Sequence, residues 1–245
     1  MIYFIGAGSG DPDLITVKGA DILKRSDVII YAGSLVNFDL VKKYSRSDCK
    51  LFNSAEMNLN EILNVMKKSH DEKLLLSRLH TGDPSIFGAL TEQINYLNAN
   101  NIPFEIIPGV SSFSAAAASL KISYTIPELS QKIIISRING NTPFNNDNAA
   151  EIYFLSSGNI KALCEKLLSH GHSLDEKIAL VYKASWPDEK IIISTINKLP
   201  EQADKHGIKN HALIILGEFL NNNASRKNSR LYDPEFSNNF RSVHS

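Results

Sequence analysis

The sequence predicts an α/β fold of two lobes, with a mostly parallel N-terminal sheet and a mixed C-terminal sheet. Short β-branched runs alternate with amphipathic stretches along most of the chain, the pattern of strands covered by helices. The chain has 245 residues, 43% of them hydrophobic, enough for two cores of the common size of ~100–150 residues. Near the C-terminal end two β-rich runs flank Trp186-Pro187-Asp188-Glu189, a connection too short for a helical crossover, so that pair is antiparallel.

The elements follow in order. A strand over 2–5 leads to a helix over 17–25 and a strand over 28–31. A helix over 59–68 precedes a strand over 74–79, and a helix over 86–98 precedes a strand over 104–107. These make the N-terminal lobe, 1–108. Residues 109–126 read as a hinge: Pro108-Gly109 ends a strand, Ser111 or Ser112 can cap a helix, and the alanines at 115–118 permit close packing. The C-terminal lobe, 127–220, carries strands over 132–136, 152–155, 178–182, 190–195 and 212–216, with a helix over 160–169. The polar tail 221–245 is expected to be irregular, with any order depending on docking.

Composition excludes several classes. Lys plus Arg and Asp plus Glu both number 26, so the footprint that a phosphate backbone requires is missing and nucleic acid is not an expected partner. No apolar run reaches the ~20 residues of a membrane span, and Met1 to Ile5 starts a strand without a basic leader, so a cytoplasmic protein is expected. Cys49 and Cys164 form no CxxC pair, and His170-Gly171-His172 has no partner cluster at ligand spacing, so neither a disulfide framework nor a metal site is expected.

Two glycine-bearing turns carry the chemistry. GAGSGDPD, 6–13, follows the first strand and resembles a dinucleotide loop, but Asp11 stands where the third glycine is needed. The second strand runs into Ala32-Gly33-Ser34 instead of ending in an acid for a ribose, which disfavours an NAD-binding oxidoreductase. Gly6, Gly8 and Gly10 still permit close approach by a ligand or another segment; the plainer reading is a strand-to-helix connection capped by Asp11 or Thr16. RLHTGDPSIFG, 78–88, ends a buried strand: Gly82 offers bare backbone, Asp83 can accept from an ammonium, and Pro84 can begin a helix that Asp83 would otherwise simply cap.

GAGSGDPDLITVKGA, YAGSLV, RLHTGDPSIFGA with Glu92-Gln93, PGVSSFSAAAA, YFLSS and YKASWPDEKI, in this order, resemble the tetrapyrrole methylases, the class III S-adenosylmethionine-dependent methyltransferases. The resemblance spans nearly the whole chain. It implies a two-lobed homodimer that binds S-adenosylmethionine in a cleft between lobes. It implies cofactor contacts at Thr81, Gly82, Asp83 and Ile86, at Ser111 and Ser112, at Leu155 and Ser156, at Ala184, and at Ala212 and Leu213. Ser9 stands where the family's first loop usually has proline. YAGSLV, LHTGDPSIFGA, RINGNTP at 137–143 and YKASWPDEK resemble the branch of that family acting on precorrin-4 or its cobalt complex, and this resemblance implies a small-molecule tetrapyrrole substrate methylated at ring carbon C11, the cobalt form being favoured.

Methyl transfer from a sulfonium to an electron-rich ring carbon needs alignment and no side-chain nucleophile. A ring bearing acetates and propionates calls for cations, for which Arg78, His80, Lys132, Arg137 and Lys183 are candidates, Arg137 with Asn139-Gly140 first; each is also readable as an ordinary surface charge. His80 could move a proton or be structural, and Trp186 could cover substrate or pack a turn. Methylation of another ring carbon of a precorrin or uroporphyrinogen, and a binding lobe without turnover, stand as alternatives.

Overall fold

The computed structural model describes residues 1–138 and 148–221, together with 229, 233, 235–237, 240 and 241. It divides into two compact units, Met1–Ala116 with Lys183–Glu189, and Ala117–Tyr182 with Lys190–Ser245.

In the first unit, β1 (Ile2–Gly6), α1 (Val17–Leu23), β2 (Val28–Tyr31), α2 (Phe38–Tyr44), β3 (Lys50–Asn53), α3 (Leu59–Asp71), β4 (Leu76–His80), α4 (Thr91–Ala99) and β5 (Phe104–Ile107) precede α5 (Ser112–Leu120), which runs across the unit boundary. The five strands are parallel in the order β3-β2-β4-β1-β5. Both faces of such a sheet must be covered, and both are. Ile5, Ile29 and Leu79 pack with Ile22, Leu40 and Val41 of α1 and α2, while Phe4, Ile30 and Leu76 pack with Met66 and Leu97 of α3 and α4. The start of α3 is fixed by a reciprocal cap: Asn58 accepts from the Glu61 amide at 3.1 Å and its own amide donates to the Glu61 carboxylate at 2.7 Å.

The structure adds α2 and β3 to the elements expected from sequence; β3 is a half-exposed edge strand of four residues, Lys-Leu-Phe-Asn, of which only two are apolar. It also corrects the helix expected over 86–98, which starts only at Thr91. Phe87 and Ala89 have φ of 53° and 47°, so the chain between Pro84 and Leu90 cannot be helical. Pro84 therefore starts no helix and Asp83 caps none; the Asp83 carboxylate closes a local turn by accepting from the Ser85 amide at 2.8 Å.

The second unit holds β6 (Ile133–Ser136), β7 (Ala150–Tyr153), α6 (Ile160–Ser169), β8 (Lys177–Tyr182), β9 (Lys190–Thr195), α7 (Leu199–Lys205) and β10 (Ala212–Leu216). Its sheet runs β6-β7-β10-β8-β9, with β6 and β7 parallel and the remaining pairs antiparallel, β8 with β9 included. Leu163 and Leu167 of α6 and Leu199 of α7 bury one sheet face against Ile178, Leu180 and Ile214. Past α6 the chain turns at Gly171, φ 95°, and places His172 between two carboxylates, Glu176 at 2.9 Å and Glu151 at 3.6 Å. From sequence alone His172 has no more than a loop role. Residues 139–143 of the RINGNTP stretch, and most of the tail 221–245, lie outside the described residues.

Candidate functional site

Three turns of the first unit are built onto one another at the ends of β1, β4 and β5. The ladder continues past β1, where Ala7 N–H donates to the His80 carbonyl at 2.8 Å, and the next residues form a reciprocal pair: Gly82 N–H to Gly8 O at 2.7 Å and Gly8 N–H to Gly82 O at 3.3 Å. A Cβ on Gly109 would lie 2.2 Å from Gly82 O and 2.7 Å from Gly6 Cα, so the Pro-Gly turn after β5 fits only because it carries no side chain. Gly82 has φ +62°, a backbone that few other residues adopt, and its open side meets Ser111 and Ser112, no nearer than 3.5 Å to a built Cβ.

Asp83 ties the turns together. One carboxylate oxygen accepts the Gly109 amide at 2.9 Å; the other accepts from the amide and the hydroxyl of Ser85. Burial opposes ionisation here, but the Ser85 hydroxyl and the Gly109 and Ser85 amides outweigh it and hold the carboxyl below its ordinary value. An anion beside bare backbone is thus fixed before any ligand arrives. Ser9, Thr81, Gly82, Ile86, Ser111 and Ser112 lie in the same unit, with the Ile86 amide donating to the Asp83 carbonyl at 3.2 Å and Ser111 O accepting from Ser114 at 3.0 Å as α5 begins.

Ala184 is buried in the segment Lys183–Glu189, which belongs to this unit and touches its first loop: Ser185 Oγ lies 2.7 Å from Ser9 Oγ, and the Trp186 indole donates to Ser9 O at 2.9 Å. The sequence singled out YKASWPDEK only by resemblance; the signal that could have found the contact is Gly10, whose missing side chain accommodates the Trp186 ring. The first loop also departs from a dinucleotide loop in structure. It leads to a 3-10 turn, Pro12–Leu14, capped by Asp11, and α1 starts only at Val17 behind a Thr16 cap, so no long helix points its N-terminus at the glycines.

The second unit holds Leu155, Ser156, Ala212 and Leu213. Ile214 pairs with Tyr153, so continuing the register sets Ala212 opposite Leu155 at one end of the sheet. Leu155 has φ 51° and is 62% exposed, whereas Ser156 is fully buried and its hydroxyl is engaged with the Ile138 amide at 3.1 Å and the Phe154 carbonyl at 2.8 Å.

The candidate cations divide between the two units: Arg78, His80 and Lys183 lie in the first, Lys132 and Arg137 in the second. Arg78 and His80 are interior residues of β4, not surface charges. Arg78 donates to Leu79 O at 3.2 Å and Ile30 O at 3.5 Å, its Nε has no partner among the described residues, and burial lowers its pKa to about 10. Burial and then the Arg78 charge push the His80 pKa down to about 3, so the imidazole is neutral at ordinary pH. Lys132 and Arg137 are exposed at opposite ends of β6, Arg137 at the end shared with Leu155. Lys183 Nζ pairs with Asp188 at 2.7 Å and lies 5.0 Å from the Trp186 ring centroid. Asn139 and Gly140 lie outside the described residues.

The chain is 44% identical to a cobalt-precorrin-4 C(11)-methyltransferase of Methanocaldococcus jannaschii, over 99% of this chain and 96% of the relative. A solved cobalt precorrin-4 methyltransferase superposes with a TM-score of 0.83 at 39% identity, covering 89% of this chain and 95% of the other. A uroporphyrin-III C-methyl transferase from Thermus thermophilus, solved with S-adenyl homocysteine, superposes with a TM-score of 0.77 at 25% identity, covering 89% and 98%. The family model for tetrapyrrole (corrin/porphyrin) methylases matches residues 1–200, and the chain belongs to that family.

Proposed function

We propose that this protein methylates C11 of cobalt-precorrin-4, with S-adenosylmethionine as the donor and S-adenosylhomocysteine as the product. The observation that carries the reading is the full-length likeness to the M. jannaschii relative, and the cobalt-named solved structure agrees with it. The local chemistry fits the donor: an ionised Asp83 beside the bare backbone of Gly82 suits a ligand bearing an ammonium and a sulfonium.

When bound, S-adenosylmethionine supplies a methyl group on a sulfonium sulfur, which keeps the carbon–sulfur electron pair as the new carbon–carbon bond forms. The chain's task is alignment, which contributes about 7–11 kcal/mol in well-oriented systems. In our reading Gly82 and Asp83 hold the methionine portion, with Thr81, Ile86, Ser9, Ser111 and Ser112 around it; Ala184, Leu155, Ser156, Ala212 and Leu213 are assigned to the adenosine by resemblance. Ser156 would then act through its backbone, since its hydroxyl is already engaged. Arg137 is our first choice for a substrate carboxylate, on its exposed position after β6. His80, being neutral, would donate or accept a hydrogen bond and not counter a charge. A homodimer completes the proposal on the same resemblance, and sedimentation velocity tests the assembly.

The deciding experiment incubates the protein with S-adenosylmethionine and enzymatically made cobalt-precorrin-4, followed by mass spectrometry and assignment of the new methyl. One added methyl at C11 is expected. A product without it removes the function; a methyl on another carbon keeps the donor site and replaces the substrate assignment.

A further inference from the structure

We propose that Trp186, with Ser185, is a positioning residue for the methyl donor: it sets the main chain of the first loop and, through that loop, the Gly82–Asp83 turn. The inference rests on our reading of that turn as the donor's site.

The contacts form a continuous path within the first unit. The Trp186 indole N–H donates to Ser9 O at 2.9 Å, and Ser185 Oγ both accepts the Asp11 amide at 3.1 Å and lies 2.7 Å from Ser9 Oγ. A Cβ built on Gly10 would fall 2.0 Å from Trp186 Cδ1, so the loop lies directly against the ring and nothing larger than glycine fits. Asn37 Nδ2 also donates to Gly10 O at 3.0 Å. The loop so held is the one whose Gly8 exchanges two hydrogen bonds with Gly82, next to Asp83 and its bond to Gly109.

The segment that does the holding is itself fixed. Ser185 N–H donates to the Glu189 carboxylate at 2.6 Å, Trp186 N–H to Lys183 O at 2.9 Å, and Lys183 Nζ is anchored by Asp188 at 2.7 Å beside the ring. Lys183 and Ser185 have φ of 48° and 66°, conformations that residues with side chains hold only where their surroundings determine them. A turn built only to join two strands would not need a tryptophan with its N–H aimed at a carbonyl 177 positions away.

The full-length chain tests this with the variants Trp186→Phe, which keeps an aromatic ring and removes the donor, and Ser185→Ala. S-adenosylhomocysteine affinity by calorimetry and steady-state kinetics give the readouts. For Trp186→Phe we expect Kd for S-adenosylhomocysteine and KM for S-adenosylmethionine to rise about three- to tenfold, as loss of one hydrogen bond implies, with kcat at saturating donor and KM for the tetrapyrrole within about twofold. Ser185→Ala is expected to move the same two constants in the same direction. Because Trp186 is the only tryptophan in the chain, its emission in the wild type should also change on titration with S-adenosylhomocysteine, with the calorimetric midpoint. Unchanged donor constants in Trp186→Phe, a fall in kcat alone, or a silent wild-type emission would each overturn the proposal. If Trp186→Phe does not fold, Ser185→Ala and the wild-type emission decide it. A wild type that gives no heat with S-adenosylhomocysteine overturns the donor-site reading and this inference with it; a wild type that binds while both variants bind equally overturns this inference alone.

Discussion

Asp83 and Gly109, 26 residues apart, are joined by a hydrogen bond of 2.9 Å from the Gly109 amide to an Asp83 carboxylate oxygen, which locks the turn after β4 to the turn after β5. The acid therefore has a structural duty as well as a charge to offer a ligand, and substitutions can separate the two.

Asp83→Ala removes an acceptor shared by three donors and should destabilise the protein by about 1–3 kcal/mol. Asp83→Asn keeps one accepting oxygen and removes the charge; its melting temperature should lie between those of Asp83→Ala and the wild type, while S-adenosylhomocysteine affinity falls at least about tenfold by calorimetry.

Gly109→Ala should cost about 2–3 kcal/mol in denaturant unfolding, because the new methyl would sit 2.2 Å from Gly82 O and the contact is with backbone, which cannot rotate aside. Gly207→Ala is the control. Nothing lies within 4 Å of a Cβ there, so its φ of +67° alone sets the cost at about 1–2 kcal/mol.

His172 supplies a pH dependence of stability. Its bond to Glu176 outweighs burial and raises its pKa above 6.5, and the same bond lowers that of Glu176 below 4.5. A raised histidine pKa means stability that is fully present below about pH 6.5 and is lost as pH rises through the folded-state value; the lowered Glu176 pKa means stability lost as pH falls below about 4.5. Burial of Glu151 works against the pair at high pH, since it raises that carboxyl's pKa. His172→Gln should therefore lose most stability relative to wild type near pH 5–6 and converge toward it by pH 9, as urea unfolding at fixed pH values will show.

His80, with a pKa of about 3, should contribute no inflection to the pH–rate profile between pH 5 and 8. His80→Gln is expected to keep the shape of that profile whatever its amplitude; an inflection near neutrality that disappears in the variant would overturn this.

Much of the architecture was legible because burial on both faces leaves dense apolar strands such as Val28–Tyr31 and Ala212–Leu216. The edge strand Lys50–Asn53 and the short helices Phe38–Tyr44 and Leu199–Lys205 escaped, since each carries only about two periods of its pattern and none is a dense apolar run. The helix start at Thr91 was misplaced because Phe87 and Ala89 hold positive φ values, which neither residue type announces. At the site, the glycines and Asp83 were readable as turn chemistry. The bond from Asp83 to Gly109 and that from Trp186 to Ser9 were not, because they join residues distant in sequence, and a local pattern holds no record of such pairs.

The seven residues Lys183–Glu189 fold with Met1–Ala116 although some 66 residues separate the two stretches, Ala117 to Tyr182. A ribosome making this chain from its N-terminus thus releases the glycine loop long before the indole that anchors it. Until that indole emerges, Ser9 O has only water to accept from and the flank at Gly10 stays open, so fragments ending near residue 116 should express as incomplete, chaperone-dependent species.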